Sequence, residues 1–521
     1  MSTGTRQAAR VTPLARVAPF ARIARTGRVA PIGRLAPLAT ALVLVTVAAP
    51  LRAAPDPLRA RSINSPAAPT PSAALPPTAL PYAALPRRAA PDTIDTWVEA
   101  YMRAHHIPGL ALGIYRVGRI VKAEGYGLAD VELDVPVKPS TIFQSGSVGK
   151  QFTSAMILLL ARDGKLALDD PITKYLPEGA EAWKGITIRN LLTHTSGIQD
   201  YENADPPIVD LRRDYTDAEL ARRFARLPLV FRPGSTWSYS NTGYVLLGII
   251  IDRLTGAHWN VYLHDRVFGP LGMQTARMIG LPDIIPNRAS GYVLEHGRLA
   301  NQAWVSPTWE HTADGALYFT VLDLARWDAA LSGDAFLTAS EKREMWTPVR
   351  LADGTTTSYG FGWEVDARPG HRVVEHAGGW QGFSTHIVRY VDDSVTVVVL
   401  TNLAGAATPH IAHQVAWLYD PALRPPEPHA VRLPPSEVAP YAGLYRFPEG
   451  DTLRLTAQDG ALRLKTPGGT TLDFRPSAPD SFFVAGTERR LWFERDPRDG
   501  SVAWVRVLRT AGSPDRARRV R

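Results

Sequence analysis

The chain has 521 residues, several times the roughly 150 of an average domain, and its 45% hydrophobic and 21% charged residues are those of a folded protein. It has no cysteine, which excludes disulfides, zinc–thiolate sites, a cysteine nucleophile and a lipid anchor on cysteine. The formal charge of +8 belongs to the N-terminus: residues 1–92 hold 12 Arg and 2 acidic residues, while the other 429 hold 46 basic and 48 acidic residues, a balance that argues against a nucleic-acid surface on the folded part.

The first 34 residues are rich in Arg and Ala, with a loose R-(V/I/L)-A-P repeat around Arg28 and Arg34. Seventeen uncharged residues follow, Leu35 to Leu51. A basic stretch before a short apolar one reads as an export signal over residues 1–54, either cleaved or kept as a short anchor. The expected location is periplasmic or extracellular, with membrane contact only through residues 35–51 if the segment is retained. Residues 55–92 form a Pro/Ala-rich linker; residues 50–92 hold 11 Pro.

A helix is expected to open at Asp92-Thr93. Leu110–Tyr115 and Arg119–Ala123 read as strands around a Val117-Gly118 turn. Phe152–Arg162 is a strongly apolar helix, residues 165–300 mix helices and loops, and strands return at 372–374, 385–390 and 395–400. Together these make a domain over 93–424. The Pro-rich run from Pro425 to Pro435 ends it. Short alternating pairs then recur (Leu453/Leu455, Leu462/Leu464, Leu472/Phe474, Leu491/Phe493, Val505/Val507), with Asp459-Gly460 and Asp499-Gly500 as turn signals. This predicts a small all-β barrel over 438–512. Residues 513–521, with Arg516, Arg518, Arg519 and Arg521, read as a frayed basic tail.

Of the eight lysines, only Lys150 has a serine three residues before it, Ser147. Three residues is nearly one helical turn and stacks the two side chains. A desolvated Lys beside Ser can take the hydroxyl proton, and a helix N-terminus offers N–H groups to an oxyanion. Two Y-x-N patterns compete for a general base, Tyr201-Glu202-Asn203 and Tyr239-Ser240-Asn241; in each, Asn could instead cap a helix. Strand 372–376 ends in Glu375-His376-Ala377-Gly378-Gly379-Trp380, whose glycines permit close backbone approach. Lys465-Thr466-Pro467-Gly468 reads as a hairpin turn, and His105-His106 as packing or surface rather than metal ligands. His194 reads as a structural, loop-positioning residue.

These residues together resemble the serine β-lactamase and penicillin-binding-protein superfamily, closest to its class C β-lactamase-like group, which includes D,D-carboxypeptidases, D-aminopeptidases and esterases. The resemblance covers about residues 94–420. It rests on Phe143–Lys150, Leu191–Ile198, Pro233-Gly234 with Tyr239–Tyr244, Pro270–Met273, Tyr359–Trp363 and His376–Ser384. Tyr441-Ala442-Gly443-Leu444-Tyr445 resembles the lipocalin-like domain attached to some of these hydrolases. The implied fold is α/β (α+β): an antiparallel sheet flanked by helices with a helical subdomain, followed by the small barrel.

Carried over by position, the resemblance implies Ser147 as acylated nucleophile, Lys150 as its activator and Tyr239 as general base. It implies Asn241, His376, Ala377 and Gly378 as substrate-binding residues. The N–H groups of Ser147 and Gly379 would form the oxyanion hole. No cofactor or metal is implied. The expected partner is a small-molecule or peptide substrate, an ester or amide that includes D-amino-acid peptides. The alternatives are a D,D-carboxypeptidase or class C-type β-lactamase, and a non-catalytic penicillin-binding-like sensor. The sequence departs from the family's K-T-G or H-T-G motif: Ala377 has no hydroxyl and a neutral His376 no charge, which weakens the expectation of tight carboxylate recognition. Gly149 is expected to widen the floor of the site.

Overall fold

The computed structural model describes residues 92–520 apart from 205, 369–370, 448–451, 466–470, 486, 488 and 509–514. The expected export segment and linker lie outside the described residues, except for Asp92, and so does most of the Lys465–Gly468 turn. No helix among the described residues is long and apolar enough to cross a membrane.

Helix α1 (Thr93–His105) opens as expected: the Asp92 side chain accepts the Asp95 N–H at 2.8 Å, and Asp95 accepts the Asp92 N–H at 3.2 Å. This reciprocal box satisfies two N–H groups that a helix end leaves bare. Strands β1 (Gly109–Arg116) and β2 (Arg119–Asp130) follow, joined by Val117 and Gly118, both at positive φ (52° and 68°). That pair of angles makes the type I′ turn that suits the twist of a tight hairpin. Next come β3 (Val135–Pro136), β4 (Phe143–Gln144), helix α2 (Lys150–Arg162), α3 (Ile188–Leu192), α4 (Asp217–Phe224) and α5 (Asn241–Thr255). The short strands β5 (Arg277–Met278), β6 (Tyr292–Glu295), β7 (Arg298–Asn301) and β8 (Leu317–Phe319) precede β9 (Glu364–Arg368), β10 (His371–Trp380), β11 (Phe383–Tyr390) and β12 (Val395–Thr401).

The main sheet runs β3-β2-β1-β12-β11-β10-β9, every pair antiparallel. Its central strands are apolar on both faces because both are covered. Leu110, Leu112, Ile114, Val397 and Val399 pack with Val98 of α1 and Ile411 and Val415 of the helix Thr408–Tyr419. Ala111, Tyr115, Val398 and Leu400 face the other way, into a core with Phe152 of α2 and Leu324 and Trp327 of the helix Val321–Ser332. Residues 150–160 of α2 are all buried, as a helix apolar all round should be.

The C-terminal region is a closed eight-stranded barrel, β13 (Gly443–Arg446), β14 (Thr452–Gln458), β15 (Ala461–Lys465), β16 (Thr471–Ala478), β17 (Ser481–Phe483), β18 (Arg490–Arg495), β19 (Val502–Leu508) and β20 (Asp515–Arg519). The expected pairs supply its core: Leu453, Leu455, Leu462, Phe474, Leu491, Phe493 and Val505 are buried together, and Leu464, Leu472 and Val507 pack against them. The basic end is not a frayed tail. Strand β20 pairs with both β19 and β13, so it closes the barrel. Arg516 and Arg518 lie over the Trp504 ring, and Arg519 donates to the Ala442 carbonyl at 2.7 Å. The arginine charges remain at the surface while their stems and guanidinium faces cover apolar area. Deleting residues 513–521 should therefore unfold the barrel, since it bares the edges of β13 and β19. Loss of the Trp492 and Trp504 near-ultraviolet signal, with the rest of the spectrum retained, is the expected result; an intact signal would restore the frayed-tail reading.

Candidate active site

Ser147 sits in a 3₁₀ turn, Gly146–Gly149, that runs straight into α2. Lys150, the first residue of α2, is fully buried. Its Nζ lies 2.9 Å from Ser147 Oγ, 2.7 Å from Asn241 Oδ1 and 2.6 Å from the Asp314 carbonyl. The last two partners accept only, so they fix two of the amine's hydrogens, and its third direction faces the serine. Burial lowers the Lys150 pKa to about 8, against the opposing pull of Asp314, Glu202 and Asp200. A neutral amine held this way aims its lone pair at the Ser147 hydroxyl.

The structure discriminates between the two Y-x-N patterns. Tyr201 is buried near the same cleft, but its hydroxyl donates to Asp314 Oδ2 at 3.0 Å. The Tyr239 ring lies 5.1 Å from Lys150 Nζ, and its buried hydroxyl has no hydrogen bond of normal geometry among the described residues. Ser147 is the neighbour that favours its ionised form, yet burial outweighs it and pushes the Tyr239 pKa well above the ordinary tyrosine value. Asn241 is not a cap: Ser240 holds that position, and the Asn241 carboxamide turns inward to Lys150.

His194 proves a positioning residue. Its carbonyl accepts the Ser238 N–H at 3.0 Å and its Nδ1 accepts the Ser240 N–H at 3.1 Å, so it brackets Tyr239 on both sides. The imidazole lies 4.2 Å from the Tyr239 ring. Burial, with Lys150 and His376 nearby, drives its pKa well down, so it is neutral and its Nδ1 stays an acceptor.

The third motif is not a strand-ending turn. It lies inside β10, with Ala377, Gly378 and Gly379 opposite His386, Thr385 and Ser384 of β11. This stretch presses on the nucleophile turn. A β-carbon on Gly378 would fall 2.2 Å from the Ser145 carbonyl oxygen and 3.0 Å from the Ser147 nitrogen. One on Gly146, which has φ +50°, would fall 2.4 Å from the Gly379 nitrogen. The nucleophile turn and β10 thus press backbone against backbone at a contact only glycine allows.

His376, Ala377 and Gly378 do not line the cleft; Gly379 and Trp380 do. The His376 ring is turned away and doubly bonded. Its Nδ1 donates to the Ala377 carbonyl at 2.6 Å, and its Nε2 accepts from the Tyr359 hydroxyl at 2.7 Å. Burial and Lys150 lower its pKa to about 3, so it brings no positive charge. Gly149 does not widen the floor either: a β-carbon there would meet Ser145 Oγ at 3.0 Å.

Two features were not foreseen. Asp200, Glu202 and Asp314 line the cleft, and among the described residues its lining includes no Lys or Arg, although the buried Lys150 amine stands 2.9 Å from Ser147 Oγ. Behind β10, buried Glu375 Oε2 lies 3.1 Å from His386 Nε2 and 2.6 Å from His413 Nε2. These three could be taken for metal ligands. However, 2.6 Å is a hydrogen bond and shorter than the about 3.3 Å between donors around tetrahedral zinc. The triad reads as a hydrogen-bonded pin joining β10, β11 and the helix Thr408–Tyr419.

Comparison with known proteins agrees with this geometry. A family model described as Beta-lactamase matches residues 94–419. Penicillin-binding protein 4* of Bacillus subtilis (strain 168) is 30% identical over 420 residues, covering 75% of this chain and 91% of that relative. D-aminopeptidase of Gluconobacter oxydans (strain 621H) is 29% identical over 310 residues, 58% of this chain and 57% of that one. Among solved structures, the octameric penicillin-binding protein homologue from Pyrococcus abyssi superposes with a TM-score of 0.59 at 25% identity, over 81% of this chain and 98% of that one. The chain belongs to the beta-lactamase family and is a serine hydrolase of that fold, related to penicillin-binding proteins and D-aminopeptidases.

Proposed function

We propose that this chain is an exported hydrolase that cleaves esters or amides through an acyl-enzyme on Ser147. One observation carries the reading: a fully buried Lys150 amine sits 2.9 Å from Ser147 Oγ, with its other two contacts taken by acceptors. Neutral Lys150 takes the Ser147 proton as Oγ attacks the substrate carbonyl. The oxyanion that forms is held by the N–H groups of Ser147 and Gly379. The tetrahedral species then collapses, the scissile bond breaks, and the leaving group takes a proton through the Tyr239 hydroxyl. Water, losing its proton to the same groups, releases the acid. Tyr239 is a neutral phenol in the free chain, so Lys150 fits the role of base better than Tyr239, and Tyr239 becomes the relay. Asn241 holds Lys150 through Oδ1, which leaves its NH₂ group for the acyl side of the substrate.

Within the family, a class C-type β-lactamase or D,D-carboxypeptidase is the second reading, favoured by the relatedness to penicillin-binding protein 4*. Both act next to a substrate carboxylate. Apart from Lys150, which is committed to Ser147, Asn241 and Asp314, the described residues lining the cleft include no cation, and neutral His376 is turned away. The ester or amide reading is therefore preferred. A fluorophosphonate or penicillin probe should label the wild type and not Ser147→Ala. Labelling that survives the substitution would end the acyl-enzyme reading; Ser147-dependent turnover of nitrocefin would favour the second.

A further inference from the structure

The barrel carries a charge that the hydrolase site does not use. Residues 439–521 hold 15 Arg and Lys against 10 Asp and Glu, whereas residues 93–438 hold 31 against 38. The excess is not spread evenly. Arg463, Arg495 and Arg498 each have a close carboxylate: Asp473 at 2.7 Å, Asp480 at 2.9 Å and Asp496 at 2.7 Å. On the outer wall of β13, β14, β19 and β20 this pairing stops. Arg446, Arg454, Arg506, Arg516 and Arg518 are all exposed there. Arg516 is paired with Glu494 at 2.5 Å, and the other four have no carboxylate partner among the described residues.

Strand register sets these arginines side by side. Arg506 lies directly opposite Arg516, and Arg518 directly opposite Arg446. Arg454 follows on β14. Like charges directly opposite each other destabilise a sheet, and this wall bears that penalty twice without an internal ion pair to offset it. The side chains are also held in place. Arg516 and Arg518 lie over Trp504, with guanidinium carbons 4.3 and 5.6 Å from the ring centroid. Stacking takes the face of the guanidinium plane and leaves its N–H edge for bidentate binding of an anion. Trp492 of β18 stands directly opposite Arg506 and is 36% exposed, an open aromatic ring at the end of the row.

We propose that this wall of the barrel binds a linear acidic polysaccharide, with the sugar carboxylates on the arginines and a sugar ring face on Trp492. Three observations select this occupant. Adjacent strands lie about 4.8 Å apart, close to the length of one sugar unit, so successive carboxylates meet arginines on successive strands. The outer wall of a closed barrel is convex, so a flexible chain can follow it where a flat lipid surface touches only its crest. One open aromatic ring is too few for single-stranded nucleic acid, whose bases stack on several. The site lies on the barrel and is independent of the Ser147 chemistry.

The test measures binding of the full chain to polygalacturonate by affinity electrophoresis, with dextran as the neutral control. The wild type should bind polygalacturonate and not dextran, and the affinity should fall at least tenfold between 50 and 200 mM salt, since exposed ion pairs are screened. Arg446→Glu is the decisive variant. It sets a carboxylate opposite Arg518, so the pair becomes attractive and the melting temperature should not fall. Its affinity for polygalacturonate should drop at least tenfold. Arg463→Gln, which alters an arginine already paired, should stay within twofold of wild type, and Trp492→Ala should lose about threefold. If Arg446→Glu fails to fold, exposed Arg454→Ser decides, with an expected loss of about fivefold. Absence of salt-sensitive binding by the wild type overturns the proposal, as does an affinity unmoved in the deciding variant. Tighter binding of a thymidine oligonucleotide or of phosphatidylglycerol vesicles than of polygalacturonate overturns it too, and gives the wall to nucleic acid or to a membrane. Hydrolysis of p-nitrophenyl butyrate should be the same in every variant, so loss of the polymer site and loss of the acyl-enzyme reading are read separately.

Discussion

Replacing Lys150 by Arg is expected to lower kcat/KM on p-nitrophenyl butyrate by about 10³-fold, within the 10²–10⁴ that a positioned base supplies. Arginine keeps the positive charge and can still donate to Asn241 and Asp314, but it cannot lose its proton. The loss would thus report the base and not the charge. The pH profile sharpens this. Burial stabilises the neutral amine and lowers Lys150 to about 8, so the protonated, inactive form dominates below that value. Wild-type kcat/KM should rise with pH at up to tenfold per unit and level off near 8, and that limb should vanish in Lys150→Arg. A wild-type profile flat from pH 6 to 9, on a protein that circular dichroism shows is folded, would remove Lys150 from the role. Tyr239→Phe separates the relay from the base: it should slow turnover while leaving the limb near 8 in place.

The backbone of this site was legible because its signals are local. A serine three residues before a buried lysine is one helical turn, and Val117-Gly118 and Asp92-Thr93 each carry their own turn or cap chemistry. The barrel pairs were legible for the same reason, since a period of two survives in any sheet with one wet face. The end of the barrel was not. Arg516, Arg518 and Arg519 look like a tail because closure depends on pairing with β13, some 70 residues earlier, and on the Trp504 ring beneath the arginines. His376 misled in a related way. Its place in the motif is readable, but its direction depends on Tyr359, 17 residues away, whose hydroxyl captures Nε2. Asp314 gave no signal at all: its carbonyl holds Lys150 and its carboxylate takes the Tyr201 proton donor, and both are long-range contacts. The residue pattern alone left the two Y-x-N runs open; the motif order of the resemblance chose Tyr239, and the bond from Tyr201 to Asp314 fits that choice.

The contact between β10 and the nucleophile turn predicts the other large effect. Gly378→Ala should lower kcat by about 10²–10³, the loss that follows removal of one oxyanion donor. The added carbon cannot be accommodated by a side-chain shift alone, because a backbone oxygen, that of Ser145, stands 2.2 Å from its position. Either β10 or the Gly146–Gly149 turn must move, and each carries one of the two N–H groups. Thr385 ties the same layers by donating its Oγ1 to the Ser145 carbonyl at 2.5 Å, so the strain is passed to β11 rather than relieved. Overpacking of this kind costs about 1–3 kcal/mol of stability, so folding should survive while alignment is lost. Gly379→Ala gives the contrast. A β-carbon there meets only the Phe383 carbonyl, at 4.0 Å, and otherwise opens onto the cleft. Its effect should fall mainly on KM and grow with the size of the acyl group. Steady-state kinetics on acetyl and butyryl p-nitrophenyl esters separate the two. If Gly378→Ala changed KM alone, or if its kcat stayed within threefold of wild type, the two nitrogens would not be acting together on the oxyanion.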